Sequence, residues 1–268
     1  MSNPLGFSVD ALLPRARGGG PLKIGLARLT EDQWLQPAPD LDRRAAAFDA
    51  YPQSVQLTPQ AGAPGAELAR MLGVTGGLAA AARSRWEDMC LLTRAADEDI
   101  YRLVGAAVAF PSDWSPAQKL GLPLVALHAP IYGYEEQLAS PVDMFMAKLK
   151  PGVIYGRTNW FVAPTPSLRW IDQTGPADAF ARLTQENAGA SLFVRCERQT
   201  LRRLPETGAI LFTIGIYVEP LGTLADQHIA FLAKALATLP QEEARRRGTP
   251  HYAPALQAYA ASRAHPIE

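Results

Sequence analysis

"CERQTLRRLPETGAILFTIGIYVEPL", residues 196–221, opens on charged side chains and becomes an almost unbroken apolar run. Side chains alternate across a strand, so its two faces are read separately. Over about 191–199, Leu192, Val194, Cys196 and Arg198 share one face, while Phe193, Arg195, Glu197 and Gln199 share the other. Arg198 ends an otherwise apolar face, where a guanidinium is costly unless it meets an anion or lies at the sheet's rim. The next strand, about 208–219, sets Ile210, Phe212, Ile214, Ile216 and Val218 against Leu211, Thr213, Gly215 and Tyr217. Both faces are apolar enough to be buried, so this strand reads as central. Gly215 gives up packing inside it, which suits a flat ligand, a bulge or a crossing helix.

Outward from this pair, "EDMCLLTR" (87–94) and "IYRLVGAAVAF" (100–110) read as two strands of a hairpin, and "VIYGRTNWFVA" (153–163) as a further strand. Helices are expected over 40–50, 65–74, a short stretch after Ser115-Pro116, the segment begun by Pro141, and 222–239, where Leu224, Phe231, Leu232, Ala235 and Leu239 recur at helical spacing. "LVALHAPIYGYEEQL" between them reads as loop. This order predicts an α+β fold with a single antiparallel sheet and helices on one side. Prolines and the Gly18-Gly19-Gly20 triplet make residues 1–24 an irregular arm, 25–240 a single domain, and 241–268 a polar tail in which Arg245–Arg247 form a solvated helix end.

The 268 residues are 48% hydrophobic and 19% charged, with 26 basic and 26 acidic side chains, so there is no electrostatic footprint for nucleic acid or an anionic membrane. No apolar run approaches the ~20 residues of a membrane span, and no secretory leader is visible. Cys90 and Cys196 lie far apart and outside any CxxC, which excludes a zinc ribbon or disulfide scaffold and points to the cytoplasm. Dinucleotide, P-loop, nucleophile-elbow and zincin motifs are absent. His228, beside Leu224 and Leu232, reads as a packing histidine, and Trp160 as core. His128 sits among apolar residues in "LPLVALHAPIYGY". A neutral imidazole in such a place suits haem iron, although composition alone favours a structural role.

Taken together, "VAFPSDWSPAQKLGLPLVALHAPIYGY", "NWFV", "ERQTLRRLPETGAILFTI" and "LATLP" resemble the haem-dependent oxidative N-demethylase alpha-subunit family over about residues 25–240. The resemblance implies a PAS-like fold with N-terminal and C-terminal helical extensions, binding haem b. It also implies oxidation of a small secondary amine such as dimethylamine with O₂, using electrons that NADPH delivers through partner subunits carrying FMN and a 2Fe-2S cluster. His128 is then the candidate proximal ligand. Arg198, Arg202 and Arg203 become candidates for the haem propionates, Gly215 for close approach of the porphyrin, and Glu197, Asn159 and Tyr217 for the substrate side. The alternative is a haem PAS module that senses a gas without turnover. This sequence has Ile131-Tyr132 where the family it resembles usually carries Val-Pro, and Gly215-Ile216 where it usually carries a basic residue and Thr.

Overall fold

A computed structural model of the chain describes residues 5–16, 22–95 and 98–264. The strands are β1 (Ala27–Leu29), β2 (Val55–Leu57), β3 (Asp88–Thr93), β4 (Arg102–Ala107), β5 (Ile154–Ala163), β6 (Phe193–Arg203) and β7 (Ile210–Pro220). They form one sheet in the order β1-β5-β6-β7-β3-β4-β2, and every pair is antiparallel. The expected α+β, PAS-like single sheet is present. The 87–110 hairpin, the 153–163 strand and the central pair all form. The two short outer strands, β1 and β2, lack the alternating run that would have announced them.

The helices, in chain order, are α1 (Val9–Leu12), α2 (Leu41–Ala50), α3 (Gly62–Met71), α4 (Leu78–Arg83), α5 (Pro116–Lys119), α6 (Leu124–Leu127), α7 (Ser140–Lys148), α8 (Pro176–Ala179), α9 (Ala188–Ser191), α10 (Asp226–Ala237), α11 (Gln241–Arg246) and α12 (Ala253–Ala264). Asp40 caps α2 by accepting from the Arg43 amide at 3.0 Å, and Gly73, at φ +73°, ends the chain reversal after α3.

The sheet's two faces are covered unequally. On one, called here the far face, α1, α4, α10 and α12 contribute to a single large core with Trp160, Cys196 and Leu211. On the other, the near face, the apolar contacts split into two small clusters. One joins Leu92, Tyr101, Leu124, Met146 and Leu201; the second joins Cys90, Leu103, Ala106 and Val108. Phe212 touches both. Helices α6 and α7 supply the near-face cover.

The segment expected to be an irregular arm is packed where it is described. Leu5, Val9, Leu12 and Leu13 are buried, and α1 rests on β6. Their spacing of four, three and one is helical, a signal overshadowed by the neighbouring Pro and Gly residues. His228 Nδ1 meets Asp10 Oδ1 at 2.8 Å and fastens α10 to this segment. The tail after 240 also packs. Tyr252 and Leu256 are buried, and Arg247 is no solvated helix end: it pairs with buried Glu243 at 2.6 Å and donates to the Trp160 carbonyl at 2.8 Å.

Strand β6 runs four residues further than the sequence suggests and takes in Arg202 and Arg203. Arg195, Arg198 and Arg203 can lie within the sheet because carbonyls and hydroxyls around them accept their N–H groups. Arg195 donates to the Phe110, Pro111 and Ser167 carbonyls and to Ser112 Oγ. Arg198 donates to the carbonyls of Leu5, Gly6, Gln33 and Trp34. Arg203 donates to Leu149, Met146 and Gly208 carbonyls and to Tyr101 Oη. Irregular segments carry carbonyls with no ladder partner, and a buried guanidinium offers five donors to collect them. The charged cluster that opens the quoted stretch therefore staples irregular chain onto the sheet.

Candidate functional site

The unbroken register of the central strands settles which candidates share a face. Asn159 opposes Glu197, Glu197 opposes Ile216, and Arg198 opposes Gly215. Asn159, Glu197 and Arg203 therefore belong to the near face with Phe212 and Leu201. Arg198, Arg202, Gly215 and Tyr217 belong to the far face.

His128 closes α6 on the near face, where Leu124 and Leu127 anchor that helix to the two small clusters. The sequence reading of this segment as loop misses a four-residue helix, too short for periodicity to reveal. The ring's Nδ1 lies 2.8 Å from the Leu124 carbonyl. A carbonyl only accepts, so Nδ1 carries the proton and Nε2 holds the lone pair. Burial lowers the ring's pKa to about 4; the Leu124 bond opposes this, and the positive charges of Arg157 and Lys119 add to it. At neutral pH His128 is an uncharged imidazole with one nitrogen available, the form that binds iron.

That depression has a measurable sign. The unfolded ring, near pKa 6.5, takes up a proton before the folded one does, so acid favours the unfolded chain between those two values. Without haem, the wild type is expected to lose roughly 3 kcal/mol more stability than His128→Gln between pH 6.5 and pH 4. Urea unfolding of both across that range checks it; parallel curves would show that His128 is not held neutral.

Room for a flat ligand is indicated by exposure in the middle of the sheet. Along β5, Ile154, Gly156, Thr158, Trp160 and Val162 are buried, while Tyr155, Arg157, Asn159 and Phe161 are half-buried. On β7, Leu211 and Thr213 are sealed on the far face, and Phe212 between them is only half-covered. A central strand normally loses this exposure to packing, so the near face has unfilled contact surface opposite α6. Surface grooves of about 300 Å³ at Phe145 and Lys150, and about 260 Å³ at Arg28 and Gln33, are not lined by His128.

The polar groups on this face are linked. Arg157 Nε donates to Gln199 Oε1 at 2.7 Å, and Gln199 Nε2 donates to Glu197 Oε2 at 2.9 Å. The donation from Arg157 orients the amide so that its NH₂ meets the carboxylate. Glu197 is 7% exposed and adjoins Asn159 across the ladder. The sequence alone gives Arg157 and Gln199 no role, since an Arg–Gln–Glu relay spans two strands 42 residues apart.

The remaining candidates do other things. Tyr217 Oη donates to Gln36 Oε1 at 2.7 Å, and burial pushes its pKa above the usual phenol range. A Cβ at Gly215 would lie 3.2 Å from the Tyr217 ring and 3.6 Å from Glu87, so this glycine clears space for a tyrosine, not for a ligand, a bulge or a helix. Arg202 pairs with Glu31 at 2.7 Å and lies over the Trp34 ring. Arg203 is on the near face, but it binds the end of α7 and the β6–β7 turn. Cys196 is on the far face, and burial drives its thiol away from the thiolate form that a metal would need.

A neutral imidazole with a free Nε2, facing half-covered strands that carry a carboxylate and an amide, fits a haem held from one side. Among the described residues there is no cluster of three or more His, Cys, Asp or Glu that could hold a metal. No helix described here is long and apolar enough to cross a membrane. The family model for "Haem-dependent oxidative N-demethylase, alpha subunit-like" matches residues 47–257. The chain belongs to the haem-dependent oxidative N-demethylase, alpha subunit-like family.

Proposed function

We propose that this protein is the haem b-binding oxygenase subunit of an N-demethylase acting on a small secondary amine such as dimethylamine, with O₂ as oxidant. Electrons come from partner subunits that carry a flavin and an iron–sulfur cluster. The reading is supported above all by His128, an uncharged imidazole whose Nε2 is free and whose helix faces the half-covered centre of the sheet. Haem, when bound, supplies the dioxygen-binding and electron-accepting centre. The chain's residues do the rest. His128 would hold the iron through Nε2, with its other nitrogen braced on Leu124. Glu197, steadied by Gln199, would receive the substrate ammonium, and Asn159 beside it would donate a hydrogen bond on the oxygen side. Phe212 and Phe161 would exclude water around the methyl groups.

The reaction balances as dimethylamine, O₂, a pair of electrons and a pair of protons giving methylamine, formaldehyde and water. Haem-reconstituted protein with a competent reductase and dimethylamine is expected to release formaldehyde well above a His128→Ala control. Equal release from both would end the proposal. Absence of turnover combined with an O₂- or CO-dependent change in partner affinity would point instead to a sensor.

A further inference from the structure

Between His128 and Tyr134 the chain doubles back through two turns. The Ile131 amide donates to the His128 carbonyl at 2.8 Å, and the Tyr134 amide donates to the Ile131 carbonyl at 3.1 Å. Gly133 makes the reversal possible. Its φ is +74°, which side-chain-bearing residues rarely adopt, and a Cβ there would meet the end of the Gln137 side chain. The fold-back lays the Tyr134 ring on the His128 imidazole with centroids 4.3 Å apart and planes inclined by 12°. Tyr134 is 4% exposed, yet its hydroxyl has no hydrogen-bond partner among the described residues. A buried hydroxyl normally finds a partner, so the ring, not the oxygen, accounts for Tyr134 being here.

We infer that Tyr134 is a positioning residue that fixes the plane of the His128 imidazole, and that Gly133 is the hinge that delivers it. The inference rests on the reading of His128 as the haem ligand. The two restraints on the ring are complementary. The bond to Leu124 sets the tautomer and the direction of Nδ1, but it lets the ring rock about that bond. A parallel aromatic face removes the rocking, and with it much of the spread in where the Nε2 lone pair points. Imidazole orientation is what outer partners of a metal-bound histidine control. The same cover shields one face of the ring from water.

The test compares Tyr134→Phe, which keeps the stack, with Tyr134→Leu, which removes it, using two readouts. The first is the rate at which the haem-reconstituted protein releases haem to an apomyoglobin scavenger. The second is the titration of the His128 ring by NMR in haem-free protein. Tyr134→Leu is expected to release haem about 10-fold faster, and Tyr134→Phe to stay within about twofold of wild type. In the second readout Tyr134→Leu should raise the His128 pKa by about one unit or more as water reaches the ring, with Tyr134→Phe unchanged. Gly133→Ala should move both readouts in the direction of the leucine variant while leaving both rings intact. If Tyr134→Leu matches wild type in both readouts, or if phenylalanine is as impaired as leucine, the inference is overturned. If wild type and His128→Ala release haem equally fast, it is the haem reading that fails, and the titration still decides whether Tyr134 holds the ring.

Discussion

Arg44→Ala is expected to cost about 3–5 kcal/mol of folding stability, because it removes one half of a buried ion pair. Arg44 is fully buried and reaches Asp88 Oδ1 at 3.0 Å. It also donates to the carbonyls of Ala82, Trp86 and Glu87, and its guanidinium lies over the Phe48 ring. Asp88 has its own work, accepting from the Ala109 amide at 2.7 Å and the Phe110 amide at 3.1 Å. Truncation would leave a carboxylate and three carbonyls without these donors, out of reach of water. A loss of this size is a large share of the ~5–15 kcal/mol that holds most domains together. Arg44→Lys should fall between, since one ammonium has three donors and no planar fork to span four acceptors. Urea unfolding of the lysine variant gives the number if the alanine variant does not accumulate; a change below about 1 kcal/mol in either would mean the network is dispensable.

Glu197→Gln carries the largest expected effect on function. A small ammonium on the half-buried near face needs an acceptor whose charge is not spread into water, and Glu197 is the carboxylate there beside Asn159. Neutralising one partner of a desolvated charge pair costs about 2–5 kcal/mol, so kcat/KM for dimethylamine should fall about 100-fold, mainly through KM. Gln199→Leu should produce a smaller loss by freeing the carboxylate from its 2.9 Å bond. Haem content should stay the same in both variants, which separates a substrate role from a structural one. An unchanged KM for the amine in Glu197→Gln would remove Glu197 from the substrate side.

How much of this was legible in the sequence differs from segment to segment. Strands β3, β4 and β7 announce themselves as short, nearly continuous apolar runs bounded by polar turn residues, and the hairpin at 87–110 and the central pair follow directly from those runs. Face assignment was equally readable: Val194, Cys196 and Arg198 do lie opposite Arg195, Glu197 and Gln199. What each face packs against was not. Arg198 calls for an anion when only its strand is considered, yet its acceptors are carbonyls at residues 5, 6, 33 and 34, some 164 to 193 positions away. No local pattern encodes such a meeting. The separation of Tyr217 from Glu197 follows from parity across the β6–β7 register, in which Tyr217 pairs with Cys196. Nor could periodicity find α6, whose four residues complete barely one turn, although it positions His128. The family motifs, being about chemistry as much as shape, pointed to that residue where spacing could not.

The most direct test is the visible and resonance Raman spectrum of haem-reconstituted wild type beside His128→Ala, each oxidised and reduced. Wild type should hold haem with the signature of an iron–imidazole bond, and the alanine variant should lose that signature and bind haem more than about 100-fold more weakly. Identical spectra and affinities for the two proteins, or a wild type that takes up no haem, would contradict the account.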